Sequence, residues 1–409
     1  MLHNLKRPVV QSQSEKRHSV LIIDPDSDGH HPNYIQLVAR AFAKQSYNVT
    51  LCVDTSNKAI QNEVLNTDMY SFKFSLYDQK SRDNYSRIYL IRSQIHMWFK
   101  SRALIQRFHT QGWNGRVFYP YLDRLLYAIG MLGSPDQRAP VAGIVMRPPK
   151  PLDQVSKYSV ASIQALALNK LLKTSCNKSR ISDIFVIEPL YYEKIKAIIN
   201  NRSSRLTLLP DPASCFRVNN KQTARKLLNL PAEPKLILVY GKIAAPKGVL
   251  ELLRAIKQMN GNVQALIVGE GVATIDAEML AEAGSDNIFG KIAIRRNIRV
   301  SMDEERLYYE AADIVWVGYH NHLGMSGVMV QAGQMKLPII GCNQGAIGYY
   351  CNNYNIGLSI SPTNSNEIIS VIKLLISDQA KSEIMGENGY RVFSKHTPQY
   401  FMDSLIIGR

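Results

Sequence analysis

The sequence predicts an α/β protein: two doubly wound parallel-sheet domains facing a cleft. Three observations carry this expectation. Short, continuous apolar runs, such as Val20 to Ile23 and LILVYG at Leu236 to Gly241, alternate with stretches whose apolar residues fall at helical spacing. That is the pattern of buried parallel strands connected by helices. At 409 residues the chain exceeds what one compact core accommodates. A proline-marked break, LTLLPDPAS at Leu206 to Ser214, ends a strand near the middle of the chain, since Pro210 and Pro212 cannot continue a ladder.

The elements run in order along the chain. Residues 1–18 are polar and basic without an apolar core, so they are expected to form a flexible tail rather than a secretory signal. Residues 19–208 form the first domain. It opens with a strand at Val20 to Ile23, an Asp-Gly-His-His loop, and a helix with Pro32 in its first turn and an apolar face at Ile35, Val38, Ala39 and Phe42. Further strands are expected at Val117 to Tyr121, Val141 to Met146 and Asp183 to Ile187. Residues 209–390 form the second domain, with strands in LILVYG, Ala265 to Gly271 and LPIIG, and a helix capped by Asp303 before the strand DIVWV. Residues 391–409 form a closing segment.

Composition narrows the function. The apolar runs are about ten residues or fewer, short of the roughly 20 that span a bilayer. Five scattered cysteines favour a reducing cytosol; Cys342 and Cys351 have no histidine at ligand spacing and read as packing residues. The formal net charge of +16 is lopsided: residues 1–205 hold 29 Lys and Arg against 15 Asp and Glu. Such a field attracts an anionic partner, whether acidic lipid headgroups or a phosphate-bearing substrate, or it marks a generally basic soluble surface. Nucleic acid is not an expected partner, because the basic residues are dispersed and no recognition motif is present. The segment Asn84 to Phe108 places Ile88, Ile91, Ile95, Trp98, Leu104, Ile105 and Phe108 at near-helical spacing, with Arg87, Arg92, Lys100 and Arg107 off that stripe. It suits first a helix packed on a sheet, and second one resting on a membrane surface.

The most informative stretch is Tyr240 to Ile256, YGKIAAPKGVLELLRAI. A strand delivers Lys242 and Lys247 in a short loop, and Gly248 opens a helix. Two cations beside a helix N-terminus suit a diphosphate. A second loop, Gly324, Met325, Ser326 and Gly327, offers backbone N–H groups to a phosphate at the start of the next helix. In the first half, Asp123 follows the strand VFYPYL and is the carboxylate best placed to face the cleft, or else a helix cap.

Two such units with phosphate-handling loops in the second resemble the GT-B glycosyltransferases, and more closely glycosyltransferase family 4. GKIAAPKG stands where that family carries G-R-L-x-x-x-K-G, and YYEAADIVWVGYHNHLGMSGVMVQAGQMKLPIIG is similar to its donor loop, helix and closing strand. The resemblance implies a GT-B pair of Rossmann-like domains, with residues 391–409 a C-terminal helix returning to the first domain. Lys242 and Lys247 fall on the positions that hold the donor diphosphate. The family's two donor-loop glutamates, eight residues apart, fall on Leu323 and Gln331; Gln331 still hydrogen-bonds a ribose hydroxyl, and Leu323 does not. Gly29, His30 and His31 fall on the glycine-rich first loop, where either histidine carries a proton near neutral pH. Arg147 falls where the family often has a histidine; it cannot act as a base, and is expected either to bind an acceptor or leaving phosphate or to pair with a core-edge carboxylate.

The same resemblance implies a hexosyltransferase, retaining and metal-independent, with no cofactor and with a nucleotide-diphosphate sugar as donor. No Asp-x-Asp pair stands in the donor loop region, in agreement with metal independence. The implied acceptor is a glycan or a lipid-linked molecule in bacterial cell-surface or exopolysaccharide synthesis. The expected location is the cytoplasm, or the inner membrane face if the basic first domain rests on anionic lipid. The replaced glutamates leave two alternatives: a catalytically silent relative serving as partner subunit or sugar-nucleotide sensor, and a sugar-nucleotide epimerase.

Overall fold

The computed structural model describes residues 18–24, 31–53, 68–71, 87–146, 160–178, 180–199, 204–213, 218–259, 263–271, 278, 292–296 and 300–405. Gly29, His30 and Arg147, with the 1–17 tail and Cys215, lie outside the described residues.

The first unit is a seven-stranded parallel sheet in the order β3-β2-β1-β4-β5-β6-β7. Its strands are β1 (Ser19–Asp24), β2 (Asn48–Val53), β3 (Asp68–Ser71), β4 (Arg116–Tyr119), β5 (Val141–Val145), β6 (Ile181–Val186) and β7 (Arg205–Leu208). Its helices are α1 (His31–Lys44), α2 (Arg87–Thr110), α3 (Leu126–Leu132), α4 (Val160–Asn177) and α5 (Pro189–Ile198). The second unit is a six-stranded parallel sheet in the order β10-β9-β8-β11-β12-β13. It contains β8 (Lys235–Tyr240), β9 (Val263–Val268), β10 (Ile292–Arg296), β11 (Ile314–Val317), β12 (Ile339–Cys342) and β13 (Gly357–Ile360). The helices there are α6 (Lys221–Leu227), α7 (Val249–Lys257), α8 (Met302–Ala311), α9 (Gly327–Gln334), α10 (Gly345–Tyr354), α11 (Ser365–Ser377), α12 (Gln379–Phe393) and α13 (Pro398–Ser404).

Period-two alternation within uninterrupted apolar runs explains why both sheets are covered on both faces. Leu21 and Ile23 of β1 enter one core cluster, while Val20 and Ile22 enter the opposite one. Leu236 and Leu238 of β8 face one cluster, and Ile237 and Val239 the other. This two-sided burial is what an all-parallel sheet requires. Cys52, Cys176, Cys342 and Cys351 are buried thiols without disulfides, and Cys342 and Cys351 pack in the second unit's core. No helix among the described residues is long and apolar enough to cross a membrane.

Two local features refine the expected pattern. α8 is capped by Ser301, whose side chain accepts from the Glu304 amide, while Asp303, the expected cap, sits in the first turn. Serine competes well for this position because its short hydroxyl reaches the N3 amide, and Asp303 still favours the helix through its charge near the positive end. Gly248 precedes α7 in a left-handed conformation, φ 65°. A Cβ there would meet the Gly318 carbonyl oxygen in a steric clash, so both the turn and the approach of the two loops call for glycine.

The chain crosses between units at residues 209–213 and returns at its end. Phe401 and Leu405 lie in the same cluster as Val20, Ile35 and Phe42, and Gln45 donates to the Leu405 carbonyl at 2.8 Å. The crossing is fastened by polar groups. Tyr34 of α1 donates its hydroxyl to Asp211 at 2.5 Å. The His396 ring contacts the Asp211 carbonyl through Nδ1 at 3.2 Å, and Gln334 of α9 donates to the His396 carbonyl at 2.6 Å.

This polar cluster has a pH signature. Burial raises the Asp211 carboxyl to about 6, against the pull of the Tyr34 hydrogen bond. Burial lowers His396 to about 4, against its bond to the Asp211 carbonyl. Asp211 therefore contributes stability below its unfolded value of 3.8 and loses it as pH rises through about 6. His396 contributes above its unfolded value of 6.5 and loses it as pH falls toward 4. The two slopes oppose one another across nearly the same window. Melting temperatures between about pH 4.5 and 6.5, taken relative to wild type, are expected to tilt upward with pH in Asp211→Asn and downward in His396→Gln. Parallel curves for all three proteins would show that neither group couples folding to protons.

Candidate active site

In a doubly wound sheet, ligands bind beyond the carboxyl ends of the strands, where the strand order reverses. The second unit reverses between β8 and β11, and the lysine loop lies there. A single 3-10 turn, Ala245–Lys247, links β8 to Gly248 and α7. Lys247 Nζ donates to the Tyr240 carbonyl at 3.1 Å and to the Tyr319 hydroxyl at 2.8 Å. Its ammonium sits 4.3 Å from the centre of the Tyr319 ring. The Lys247 carbonyl accepts from Trp316 Nε1 at 2.8 Å, so backbone and side chain both tie the β8 loop to the β11 strand and its loop. Lys242 is exposed on the same loop. The two lysines are thus unequal: Lys247 is held in place, and Lys242 is solvated.

The loop after β11 adds groups that the sequence motifs did not single out. His320 pairs with Glu251 of α7 at 3.1 Å, and the His320 amide donates to the Pro246 carbonyl. His322 contacts the Met325 carbonyl through Nε2 at 3.1 Å. The run GYHNH beyond the strand VWV was the available signal, because polar aromatics clustered after a buried strand at a reversal point face the crevice.

The glycine loop is partly committed to its own helix. Ser326 caps α9, its hydroxyl accepting from the Met329 amide at 3.4 Å. This leaves the Gly327 and Val328 amides as first-turn donors at the positive helix end. Leu323 meets the start of α10 through its backbone: its carbonyl accepts from the Ala346 amide, and a Cβ on Gly345 would clash with its Cα. Gln331 is 5% exposed, and its side-chain amide has no protein partner among the described residues. That amide has both donor and acceptor capacity to offer a ligand hydroxyl.

The first unit reverses between β1 and β4. At the end of β1, the buried Asp24 carboxylate lies 2.8 Å from His31 Nδ1. The imidazole, on the first residue of α1, stacks on Tyr121 beyond β4, with centroids 3.5 Å apart and planes at 11°. Asp24, at the strand end, thus orients a histidine. Asp123 lies in a 3-10 turn, Leu122–Arg124, after β4. Its Oδ2 accepts from the Met146 amide at 2.9 Å, joining the ends of β4 and β5. Its carbonyl accepts from Gln94 of α2 at 2.9 Å. Asp123 therefore fastens the rim of the crevice. Beyond β6, Glu188 caps α5 through the Leu190 and Tyr191 amides; burial raises its carboxyl and those amides oppose the shift.

Met325 brings the halves together. It packs against the second unit's core and also against the first-unit cluster that contains Tyr34 and Ile35. Lys247's partner Tyr319 and this bridging residue belong to one loop, so the lysine stands at the junction of the two crevices. Lys247, through Tyr319, and the Gly324–Gly327 loop, through Met325, are therefore tied to the segment that reaches the first unit.

Comparison with known proteins agrees with this geometry. Residues 220–392 match the family described as "Glycosyl transferases group 1". The chain is 24% identical over 234 residues to a lipopolysaccharide 1,2-N-acetylglucosaminetransferase of Salmonella typhimurium, covering 53% of this chain and 59% of that protein. It is 26% identical over 152 residues to TuaC of Bacillus subtilis, named for teichuronic acid biosynthesis, covering 37% of this chain and 36% of that protein. Both matches therefore span less than two thirds of the relative's length. Anabaena HepE in complex with UDP superposes with a TM-score of 0.67 at 12% identity, over 94% of this chain and 97% of that one. At that identity the likeness concerns the fold, and the fold is GT-B.

Proposed function

From the match of residues 220–392 to the family described as "Glycosyl transferases group 1", we propose that the protein moves a sugar from a nucleotide-diphosphate donor to an acceptor hydroxyl. The observation that carries this reading is Lys247, locked by Tyr319 and the Tyr240 carbonyl at the reversal point of the second sheet. An ammonium fixed there, with the amides of Gly327 and Val328, meets the negative charge that develops on a departing diphosphate. Lys242 adds a second, solvated charge. As lysines rather than arginines they act as point charges without a bidentate fork. Gln331 suits a ribose hydroxyl as a neutral partner.

On the acceptor side, His31 carries a proton, with Asp24 fixing which ring nitrogen is engaged. Retention of configuration and independence of metal are expectations from the resemblance to glycosyltransferase family 4. No cofactor beyond the donor is invoked. The relatives' names, one for lipopolysaccharide and one for teichuronic acid, support an acceptor in bacterial surface-glycan synthesis.

Leu323 favours a second reading, since it offers no polar side chain where the family has a glutamate: a sugar-nucleotide sensor or partner subunit without turnover. Calorimetry with UDP- and GDP-sugars, together with an assay for donor hydrolysis and transfer, separates the two. Binding with turnover is the expected result. Binding without turnover selects the sensor, conversion of the sugar without acceptor selects an epimerase, and no binding of any nucleotide sugar sinks all three.

A further inference from the structure

Lys247 Nζ donates to the Tyr319 hydroxyl at 2.8 Å. The phenol oxygen therefore spends a lone pair on the lysine and keeps its own hydrogen to donate. Nothing among the described residues accepts that hydrogen. The nearest ring, His322, stands edge-on to Tyr319, with centroids 5.3 Å apart and planes at 84°, and its Nε2 contacts the Met325 carbonyl. The Tyr240 carbonyl is engaged by Lys247 itself. The body of Tyr319 is fixed: its amide donates to the Val317 carbonyl at 2.9 Å, and its ring packs in the second unit's core at 5% exposure. The hydroxyl and ammonium together are only partly buried. Beside them, a Cβ on Gly241 would stand 3.5 Å from Lys247 Nζ, so glycine leaves that side of the ammonium clear.

We propose that the Tyr319 hydroxyl is a second hydrogen-bond donor to the leaving diphosphate, and so a catalytic residue beside Lys247. This inference rests on the transferase reading above and adds a residue to it. An ammonium bonded to the phenol oxygen draws electron density from it and strengthens its O–H as a donor, because linked hydrogen bonds polarise one another. During transfer the anomeric carbon exchanges its bond to the diphosphate oxygen for one to the acceptor oxygen. The electron pair of the broken bond stays on the diphosphate, and the acceptor proton goes to His31. The charge that develops on the diphosphate is met by the Lys247 ammonium and the Tyr319 O–H together, both held in place beforehand. The phenol keeps its proton throughout.

Tyr319→Phe removes the O–H and keeps the ring under the ammonium. Transfer is expected to fall about 10–10²-fold, the range for a hydrogen bond to a charged group. Affinity for UDP or GDP, whichever the wild type takes, is expected to weaken about tenfold, and affinity for the matching nucleoside, which has no phosphate, to stay unchanged. An equal loss for nucleoside and diphosphate assigns Tyr319 to the shape of the pocket and overturns the proposal. A second variant, with 3-fluorotyrosine in place of Tyr319 and assayed at a pH where its phenol is neutral, separates donating from accepting. Fluorine strengthens the O–H as a donor and weakens the oxygen as an acceptor from Lys247. The expected kcat equals or exceeds that of wild type. A kcat that falls instead leaves Tyr319 only the task of holding Lys247, and overturns the proposal. Wild-type transfer by Tyr319→Phe also overturns it while the transferase reading stands; a wild-type protein that binds no nucleotide removes both.

Discussion

Lys247→Ala is expected to lower transfer on the order of 10²–10³-fold and to remove measurable nucleotide-sugar binding, while the protein stays folded. The magnitude comes from deleting one preorganised charge aimed at a leaving group. The fold is expected to survive because the lysine's own bonds, to Tyr319 and the Tyr240 carbonyl, are part-buried contacts, each worth about 1 kcal/mol net. The backbone link from Trp316 Nε1 to the Lys247 carbonyl remains in the variant. Lys247→Arg restores the charge with a different geometry and is expected to recover part of the binding. Lys242→Ala is expected to cost less, because that side chain is exposed and not locked. Turnover in Lys247→Ala equal to wild type would detach the diphosphate from this loop altogether.

His31→Asn is expected to lower kcat about 10²-fold or more with the donor KM little changed, the range for losing a positioned proton carrier. Asp24→Asn, which keeps an acceptor beside Nδ1 but removes the charge, is expected to show a smaller loss. Both are expected to leave nucleotide-sugar binding close to wild type. The stacking of His31 on Tyr121 and its bond to Asp24 make this assignment specific. A structural histidine would instead show up in the melting temperature and leave kcat alone. An unchanged kcat in His31→Asn would therefore return the residue to a packing role.

The legibility of this chain differed between its halves for a physical reason. In the second half, the strand LILVYG, the turn carrying Lys247 and the helix after it are one continuous segment, so the cation could be assigned from local pattern. Tyr319 lies 72 residues beyond Lys247. Sequence distance hid this partner, and the reversal of strand order between β8 and β11 reveals it. The same holds for Asp24 and Tyr121, which surround one imidazole from two different strands. Asp303 and Asp123 show a different limit. Each had the right chemistry for its expected role, but Ser301 sat closer to the helix start, and the Met146 amide came within reach of Asp123 only after folding.

By itself the sequence determined the α/β class, the two units and the loops that carry positive charge. Those properties rest on residue alternation, proline placement and composition, all of which are local. Which lysine is held and which is solvated was decided by the tertiary structure alone. So were the tie between Ser326 and its own helix and the choice of which face of α2 packs on the first sheet. Burial and partner geometry depend on residues far apart in the chain, and only packing brings those together.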